Sequence, residues 1–160
     1  MTTFSHVNDE NQPRMVNVGD KPVTHRRAVA QAIVTLDEPT IALLKDGQLV
    51  SKKGPVFQTA IIAGSMAVKQ THHLIPFCHG LPIEGCDITI SVNDQQQVDI
   101  RCDVSTTAKT GVEMEALTGA NVAALTVYDM CKSASRFLSI DKVHLLHKSG
   151  GKHDVDVQPC

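Results

Sequence analysis

Residues 86–104 read CDITISVNDQQQVDIRCDV, and this stretch decides which class of fold the chain can adopt. Apolar side chains alternate with polar ones along 86–92 and again along 98–104, and the polar segment NDQQQ separates the two runs. A period of two is typical of strands with one buried face, so the two runs predict a β-hairpin. A hairpin in the middle of the chain argues against a strictly alternating βαβ order.

The segments on either side of the hairpin supply further strands and two long helices. Loose alternation predicts the strands, while runs of small and branched side chains predict the helices. The predicted elements are strands over 24–36 and 143–148, helices over 39–45, 57–73 and 112–137, and a loop over 46–56. This order favours an α+β sandwich with a mostly antiparallel sheet and helices on one face.

The composition predicts one ordinary globular domain and gives no sign of a nucleic-acid partner. A chain of 160 residues is enough for a single core, and we expect about residues 1–13 and 153–160 to be flexible. Aromatic residues make up 3% and tryptophan is absent, so stacking platforms for single strands are not expected. Because the net charge is −2, an anionic ligand must be held by a local group of lysines.

The compartment is predicted from the cysteines and from the hydropathy of the chain. The five cysteines are odd in number and form no C-x-x-C pair, which argues against a disulfide framework and for a reducing compartment. The chain has no apolar run of membrane-spanning length, and its first residues lack the pattern of a signal peptide. We therefore expect a cytoplasmic protein with no membrane partner.

The helix predicted over 112–137 carries charged residues among small apolar ones. On a helical wheel, Glu115, Thr118, Thr126, Asp129 and Lys132 fall within one arc, and small or apolar residues occupy the remainder, so the helix is predicted to be buried almost all round apart from one polar stripe. An i,i+3 ion pair on a solvated edge would explain the last two residues. The small neighbours instead favour a polar stripe that faces a pocket or an interface. At 1.5 Å per residue, Glu115 and Asp129 are about 21 Å apart, too far for one compact site.

Two further segments contain side chains that bind ligands in other proteins. Residues 72–79, HHLIPFCH, place three histidines and a cysteine together, but their spacing matches no standard zinc pattern, so no metal is predicted. Histidines also suit the negative end of a helix, which explains His72 and His73 without a ligand. Residues 148–152, KSGGK, let backbone N–H groups and ammonium groups converge on an anion, although this is not a Walker loop.

Four segments together carry a resemblance to a known family. LIPFCHGL (74–81), KTGVEMEALT (109–118), ALTVYDMCK (124–132) and KSGGK (148–152) resemble the cyclic pyranopterin monophosphate synthases, the C protein of molybdenum cofactor biosynthesis. The resemblance covers nearly the full length, including MVNV at 15–18 and KGPVFQTAIIAG at 53–64. It implies a ferredoxin-like subunit in a homohexamer, a trimer of dimers, with active sites between subunits.

The resemblance also implies an activity and a set of site residues. The family rearranges a cyclised dihydro-GTP to the cyclic pyranopterin with loss of pyrophosphate, so a lyase with a nucleotide-derived substrate and no cofactor is expected. By resemblance, Asp129 is the active-site residue, and Lys53 and Lys132 take part in acid–base steps. The positions implied to bind substrate are Arg26, Lys69, Phe77, Cys78, His79, Glu113, Met114, Glu115, Lys148 and Lys152.

The two catalytic lysines are expected to play different roles. A lysine serves as a base only where burial or another cation lowers its pKa, whereas a nearby carboxylate raises it. Because Asp129 lies three residues before Lys132, we expect Lys132 to be a protonated acid or a phosphate ligand. Lys53, beside Lys52 in a loop, is the better candidate for the base.

The chain departs from the family pattern at three positions, and two other functions compete with the synthase. It has Gly80 where the family usually has proline, Asn17 where it has aspartate, and His153 where it has serine. Glycine at position 80 would loosen the loop that carries Cys78 and His79. The alternatives are a weakly active paralogue that binds guanine nucleotides or stabilises an assembly, and a metal-dependent hydrolase that uses Cys78 and the histidines.

Overall fold

A computed structural model describes residues 7–8 and 10–158 of the chain. The flexibility expected for 1–13 and 153–160 falls partly outside these residues and stays a prediction. In chain order the elements are β1 (Thr24–Thr35), α1 (Glu38–Ile41), β2 (Leu44–Lys45), β3 (Gln48–Ser51), β4 (Gly54–Pro55), α2 (Val56–Leu74), β5 (Gly85–Val92), β6 (Gln97–Ala108), α3 (Glu113–Cys131), β7 (Ser139–Ser149) and β8 (Val155–Asp156).

The main sheet has five strands in the order β5-β6-β1-β7-β8, and every pair of neighbours is antiparallel. The hairpin predicted from the sequence is present, with Cys86 opposite Val104 and Val92 opposite Val98. Without the short elements, the chain runs β1-α2-β5-β6-α3-β7, which is the βαββαβ order of ferredoxin-like domains. The predicted α+β class with a mostly antiparallel sheet is confirmed.

The core lies between one face of this sheet and the helices α2 and α3. Alternate residues of β1 and β6 point into it, and α3 adds a face of small residues. Gly64 of α2 and Gly119 of α3 allow the two helices to touch through their backbones, because a Cβ on Gly64 would lie 2.8 Å from the carbonyl oxygen of Gly119. This contact fixes the position of α3, and therefore of the charged residues at its two ends.

The prediction of a helix over 39–45 followed by a loop over 46–56 was wrong in detail. The helix ends at Ile41, and a small sheet of order β2-β3-β4 follows it. Asp46 and Gly47 join β2 to β3 with φ angles of 49° and 72°, the left-handed pair required by a tight type I′ hairpin turn. The Asp-Gly dipeptide was the signal for this hairpin, and strands of two to four residues are too short to show alternation.

The helix predicted over 112–137 ends at Cys131, six residues early. Beyond the helix, Oδ2 of Asp37 accepts hydrogen bonds from the backbone N–H groups of Arg136 at 2.8 Å and Phe137 at 3.3 Å, within the six residues that the prediction wrongly added. Backbone groups held by a distant carboxylate are not available to continue a helix. The chain turns there into β7, which begins at Ser139, earlier than the strand predicted over 143–148.

Candidate functional site

A cleft of about 380 Å³ opens at the N-terminal end of α3. It lies where the start of β1, the turn after β6 and the segment after β7 meet. Five of its side chains are cationic and one is a carboxylate: Lys21, Arg26, Lys109, Lys148 and Lys152, with Glu113. Four of these six, Arg26, Glu113, Lys148 and Lys152, are residues that the sequence assigned to substrate binding.

The KSGGK segment forms one wall of the cleft because it is anchored to β1. The hydroxyl of Thr24 donates to the carbonyl oxygen of Gly150 at 2.7 Å. Gly150 has a φ of 84°, and a Cβ there would overlap the carbonyl oxygen of His25, so only glycine fits this close approach. The anchor places Lys148 and Lys152 on the same cleft, as the sequence predicted for an anion site.

The cations of the cleft retain most of their charge for a ligand. The guanidinium of buried Arg26 donates to the main-chain carbonyl oxygens of Ala108 and Lys109, each at 3.4 Å, and these neutral acceptors leave the positive charge in place. Lys148 pairs with Glu113, with 3.3 Å between Nζ and Oε1. One carboxylate facing several cations leaves a positive field in a concave site.

Glu115 lies next to this cleft, one helical position beyond Met114, and is buried. Only 4% of its surface is exposed, and burial raises the pKa of its carboxyl group, with the charge of Glu113 adding to the effect. The thiol of Cys78 is nearby: its pKa is raised by burial first and then by the charge of Glu115. The loop after α2 therefore meets the start of α3, and two residues that the resemblance assigned to substrate binding lie near each other.

The remaining predicted positions of this region are partly exposed. Phe77 and Met114 each expose 37% of their surface, and His79 is half-buried. Gly80 does not need to be glycine, because a Cβ there would make ordinary contact with the ring of His72 at 3.6 Å. These side chains line an open surface of the single chain.

A second cluster lies at the C-terminal end of α3, where Asp129 bridges two lysines. Nζ of Lys53 is 2.5 Å from Oδ2 of Asp129, and Nζ of Lys132 is 2.7 Å from Oδ1. The hydrogen bonds from Lys132 and Lys53 lower the pKa of Asp129 to about 2, and the same carboxylate raises the pKa of Lys132. About half of each side chain is exposed, at 53%, 52% and 58% for Lys53, Asp129 and Lys132.

This geometry removes the basis on which the sequence distinguished the two lysines. The expected division of roles assumed that Asp129 would act on Lys132 alone, but Lys53 contacts the same carboxylate.

The predicted polar stripe is also not uniform, because Glu115 is buried while Asp129 is exposed. Lys69 joins neither cluster: it lies on the exposed side of α2, where its charge acts on Cys86.

Sequence reasoning missed two cations of the cleft. Lys109 precedes the VEMEAL segment and was quoted within a motif without being assigned a role, and Lys21 lies in a polar segment with no pattern. They reach the cleft because β1 and β6 pair in register from Thr24 and Ala108 onward, which brings the residues just outside both strands together. Only the pairing of distant strands reveals this proximity.

Both long helices also expose apolar side chains. Ile62 and Met66 of α2 are 62% and 59% exposed, and Leu125 of α3 is 51% exposed. The sequence predicted that α3 would be buried almost all round, which is wrong for the single chain. Several large apolar side chains on two neighbouring helices are typical of surfaces that contact other protein chains.

The described residues contain neither a metal-binding cluster nor a membrane-spanning helix. Within 7–8 and 10–158, no three His, Cys, Asp or Glu side chains lie close enough together to hold a metal ion. In the same part of the chain, every helix is too short or too polar to span a bilayer.

Comparison with known proteins gives one consistent family. The model of the MoaC family matches residues 15–151. The chain is 52% identical to the cyclic pyranopterin monophosphate synthase of Xanthomonas axonopodis pv. citri, over 95% of this chain and 92% of that protein. It is 46% identical to the enzyme of the same name from Thermoanaerobacter sp., over 93% and 94% of the two chains.

A longer relative matches with one part of its chain. The molybdenum cofactor biosynthesis bifunctional protein of Synechocystis sp. is 51% identical over 98% of this chain. The chain spans only 46% of the length of that relative.

Proposed function

The chain belongs to the MoaC family, and from this premise we propose that it is a cyclic pyranopterin monophosphate synthase of molybdenum cofactor biosynthesis. As such it is a lyase that rearranges a cyclised dihydro-GTP into the cyclic pyranopterin and releases pyrophosphate. Relatives of that name align along 95% and 93% of this chain.

The observation that carries the proposal is the cleft with five cationic side chains and one carboxylate. A triphosphate at neutral pH carries several negative charges, which lysines, an arginine and glycine backbone N–H groups suit. We propose that Arg26, Lys148 and Lys152 bind the phosphates, and that Lys21 and Lys109 add to their field. Release of pyrophosphate would then occur where the leaving charge is best stabilised.

The rest of the substrate is assigned to the neighbouring side chains. Phe77, Met114 and Cys78 offer apolar and polarisable surface for a purine-derived ring, with His79 beside them. Glu115, whose burial favours the protonated form, can donate a hydrogen bond to a ring carbonyl or exchange a proton with it. Lys69 remains a proposed substrate ligand, although it lies apart from both clusters in the single chain.

Proton transfer is assigned to Asp129 with Lys53 and Lys132. Ring opening and reclosure require repeated proton movements, and a carboxylate between two ammonium groups holds both at fixed distances. We propose Lys53 as the acid–base group and Lys132 as a protonated acid or phosphate ligand. Both lysines contact Asp129, so variants must decide the proposed difference between them; the raised pKa of Lys132 agrees with its assignment as a protonated group.

The separation of the clusters favours an active site shared between subunits. Along α3, Glu115 and Asp129 are about 21 Å apart, so a single nucleotide cannot contact both clusters of one chain. We propose that the start of α3 in one subunit meets the end of α3 in another, within a homohexamer built as a trimer of dimers. The exposed Ile62, Met66 and Leu125 provide apolar surface for such contacts.

We also propose that the protein acts in the cytoplasm. The four cysteines in the described part of the chain are free thiols, as expected in a reducing compartment.

The direct test is to incubate the purified chain with the cyclised dihydro-GTP and to measure pyrophosphate and cyclic pyranopterin. Both products are expected in equal amounts, and an Asp129→Asn variant should form neither at a comparable rate. If calorimetry detects binding but neither product appears, the chain is a nucleotide-binding paralogue. Activity lost on treatment with a chelator would instead support the metal-dependent hydrolase.

A further inference from the structure

Three polar side chains at the edge of the main sheet have no role in the proposed function. His147 and Ser149 are two residues apart on β7, so their side chains lie on the same face of the strand. Asp156 of β8 lies directly opposite His147 in the antiparallel register. The pairing of β7 with β8 therefore brings a serine, a histidine and an aspartate side by side.

The side chains of His147 and Ser149 lie on the face of the sheet that is turned away from the helices. Lys148, between them in the chain, pairs in register with Ala28 of the core. Its ammonium group reaches Glu113 at the start of α3, on the helix side. Because side chains alternate along a strand, His147 and Ser149 point to the opposite face. Ser149 borders the cationic cleft, but its hydroxyl is turned to His147.

The three side chains are joined by two hydrogen bonds. Nδ1 of His147 is 2.6 Å from Oδ1 of Asp156, and Nε2 of His147 is 3.1 Å from Oγ of Ser149. A carboxylate only accepts hydrogen bonds, so Nδ1 of the imidazole carries a proton. In the neutral imidazole Nε2 is then the acceptor, and Ser149 donates its hydroxyl proton to it. The aspartate thereby selects the tautomer in which the histidine can take a proton from the serine.

We propose that Ser149 is an activated nucleophile that accepts acyl groups from small carboxylic esters, with His147 as its general base and Asp156 as the positioning residue. A hydroxyl and a base within hydrogen-bond reach, with the base oriented by a third group, form the arrangement that activates serines on unrelated folds. The two distances of this chain, 3.1 Å and 2.6 Å, meet that condition.

The reaction is an acyl transfer followed by hydrolysis. Oγ of Ser149 attacks the carbonyl carbon of an ester R–CO–OR′, while Nε2 of His147 takes the hydroxyl proton. The bond from that carbon to OR′ breaks, and the leaving oxygen keeps the electron pair and receives the proton from His147 as R′OH. Water then attacks the ester Ser149–O–CO–R by the same route, which releases R–COOH and restores the serine.

The surroundings of Ser149 define the class of ester. Arg27 of β1 lies directly opposite Ser149, which puts their Cβ atoms about 5 Å apart. Hydrogen bonds from Nε and Nη2 to Asp103 hold its guanidinium group in place. A cation there stabilises the negative charge that develops on the carbonyl oxygen. The site is open to solvent, with 83% of the Asp156 side chain exposed, so it binds substrate weakly and requires a good leaving group, as in aryl esters.

The experiment treats the folded full chain with an alkyl fluorophosphonate, which traps activated serines with loss of fluoride, and separately with p-nitrophenyl acetate. Peptide mapping by mass spectrometry locates the label, and released p-nitrophenol measures ester cleavage. We expect the label on Ser149 and not on Ser139 of the same strand, whose hydroxyl donates to Asp141. Ser149→Ala should lower the release of p-nitrophenol. Equal labelling of the two serines, or none at Ser149, would overturn the proposal.

Variants of the two partner residues test how the serine is activated. His147→Gln should slow labelling of Ser149 by about a hundredfold, because a positioned general base contributes at least that factor. Asp156→Asn should slow labelling by less, since solvent screens the largely exposed carboxylate.

The matched control is His144→Gln, which removes another histidine of β7, one whose ring contacts the carbonyl oxygen of Lys142. Its labelling rate at Ser149 should equal that of the parent chain. Equal rates in His147→Gln and His144→Gln, with both variants folded by circular dichroism, would reject the general base. Asp156→Asn changes an exposed side chain and should fold in any case, so an unchanged rate in that variant would by itself contradict the proposed positioning.

Discussion

The two ends of α3 hold carboxylates in opposite environments. At the N-terminal end Glu115 is 4% exposed, and burial raises its pKa. At the C-terminal end Asp129 is 52% exposed, and two lysines lower its pKa to about 2. One carboxylate is thus biased toward its protonated form and the other is held ionised, although both belong to one continuous helix.

The difference shows that one helix separates two carboxyl groups with different acid–base properties. Ionised Asp129 can orient the ammonium groups of Lys53 and Lys132 by accepting their hydrogen bonds. Protonated Glu115 can donate a hydrogen bond beside the cationic cleft. Residues that share a helix face in the sequence therefore need not share a function. Each of the following experiments changes one end of α3 or its centre, and together they test whether the two ends behave differently.

The largest effect is expected for Lys53 at the C-terminal end. Lys53→Ala should lower the turnover rate by about a hundredfold to ten-thousandfold, because general acid–base catalysis contributes in the transition state, while substrate binding at the other end is retained. Single-turnover assays measure the chemical step, and calorimetry measures binding. Unchanged turnover would remove the acid–base assignment.

Lys132 provides the matched comparison for Lys53. If it chiefly binds phosphate, Lys132→Ala should weaken substrate binding, and Lys132→Arg should recover part of it because the charge is kept. The same two assays apply. Equal loss of binding in Lys53→Ala and Lys132→Ala would indicate that both lysines bind phosphate and would contradict the proposed difference between them.

The centre of α3 should affect both ends at once. A Cβ on Gly119 would lie 2.6 Å from Cγ2 of Val68 and 2.6 Å from Sγ of Cys102, so Gly119→Val must shift the helix. Overpacking of this kind destabilises by about 1–3 kcal/mol. Urea denaturation measures the loss, with the exposed Asn121→Ala as a control on the same helix. A Gly119→Val chain as stable as the control would contradict the close contact of α2 with α3.

Glu115 should give a pH-dependent effect that Asp129 does not. Since its pKa is raised in the folded chain above 4.5, the ordinary value, its favourable contribution is present below that value and is lost as pH rises through the folded pKa. Glu115→Gln removes the cost of a buried ionised carboxylate and should stabilise the chain more at pH 7 than at pH 4. Denaturation at both pH values tests this, with half-exposed Glu113→Gln as the control. An equal shift at both values would refute the effect of burial.

The smallest effect is expected for the stability of Asp129→Asn. Its depressed pKa favours folding above 3.8, the ordinary value, and this contribution is lost as pH falls toward 2, but exposed ion pairs are screened by solvent. The melting temperature at pH 7 should therefore stay unchanged while activity falls. A clear drop in melting temperature would mean that the cluster is structural.

Local patterns in the sequence were sufficient for the main elements of the fold. The alternation in 86–104 predicted the β5–β6 hairpin, and the run of small residues predicted α3 but extended it six residues too far. The non-helical course of residues 132–137 could not be predicted, because part of this segment is held by Asp37, a residue far away in the chain whose carboxylate accepts hydrogen bonds from the N–H groups of Arg136 and Phe137. The short sheet after α1 depended on two positive φ angles that only the Asp-Gly pair suggested.

The sequence by itself determined the family and the α+β order of elements, because periodicity and short motifs are properties of neighbouring residues. The tertiary structure alone decided that Lys21 and Lys109 join the cationic cleft, that Lys53 shares Asp129 with Lys132, and that Glu115 is buried while Asp129 is not. Burial and the distances between charges depend on residues that lie far apart in the chain. These residues come together only after the strands and helices have packed, so the fold sets the pKa of each carboxyl group.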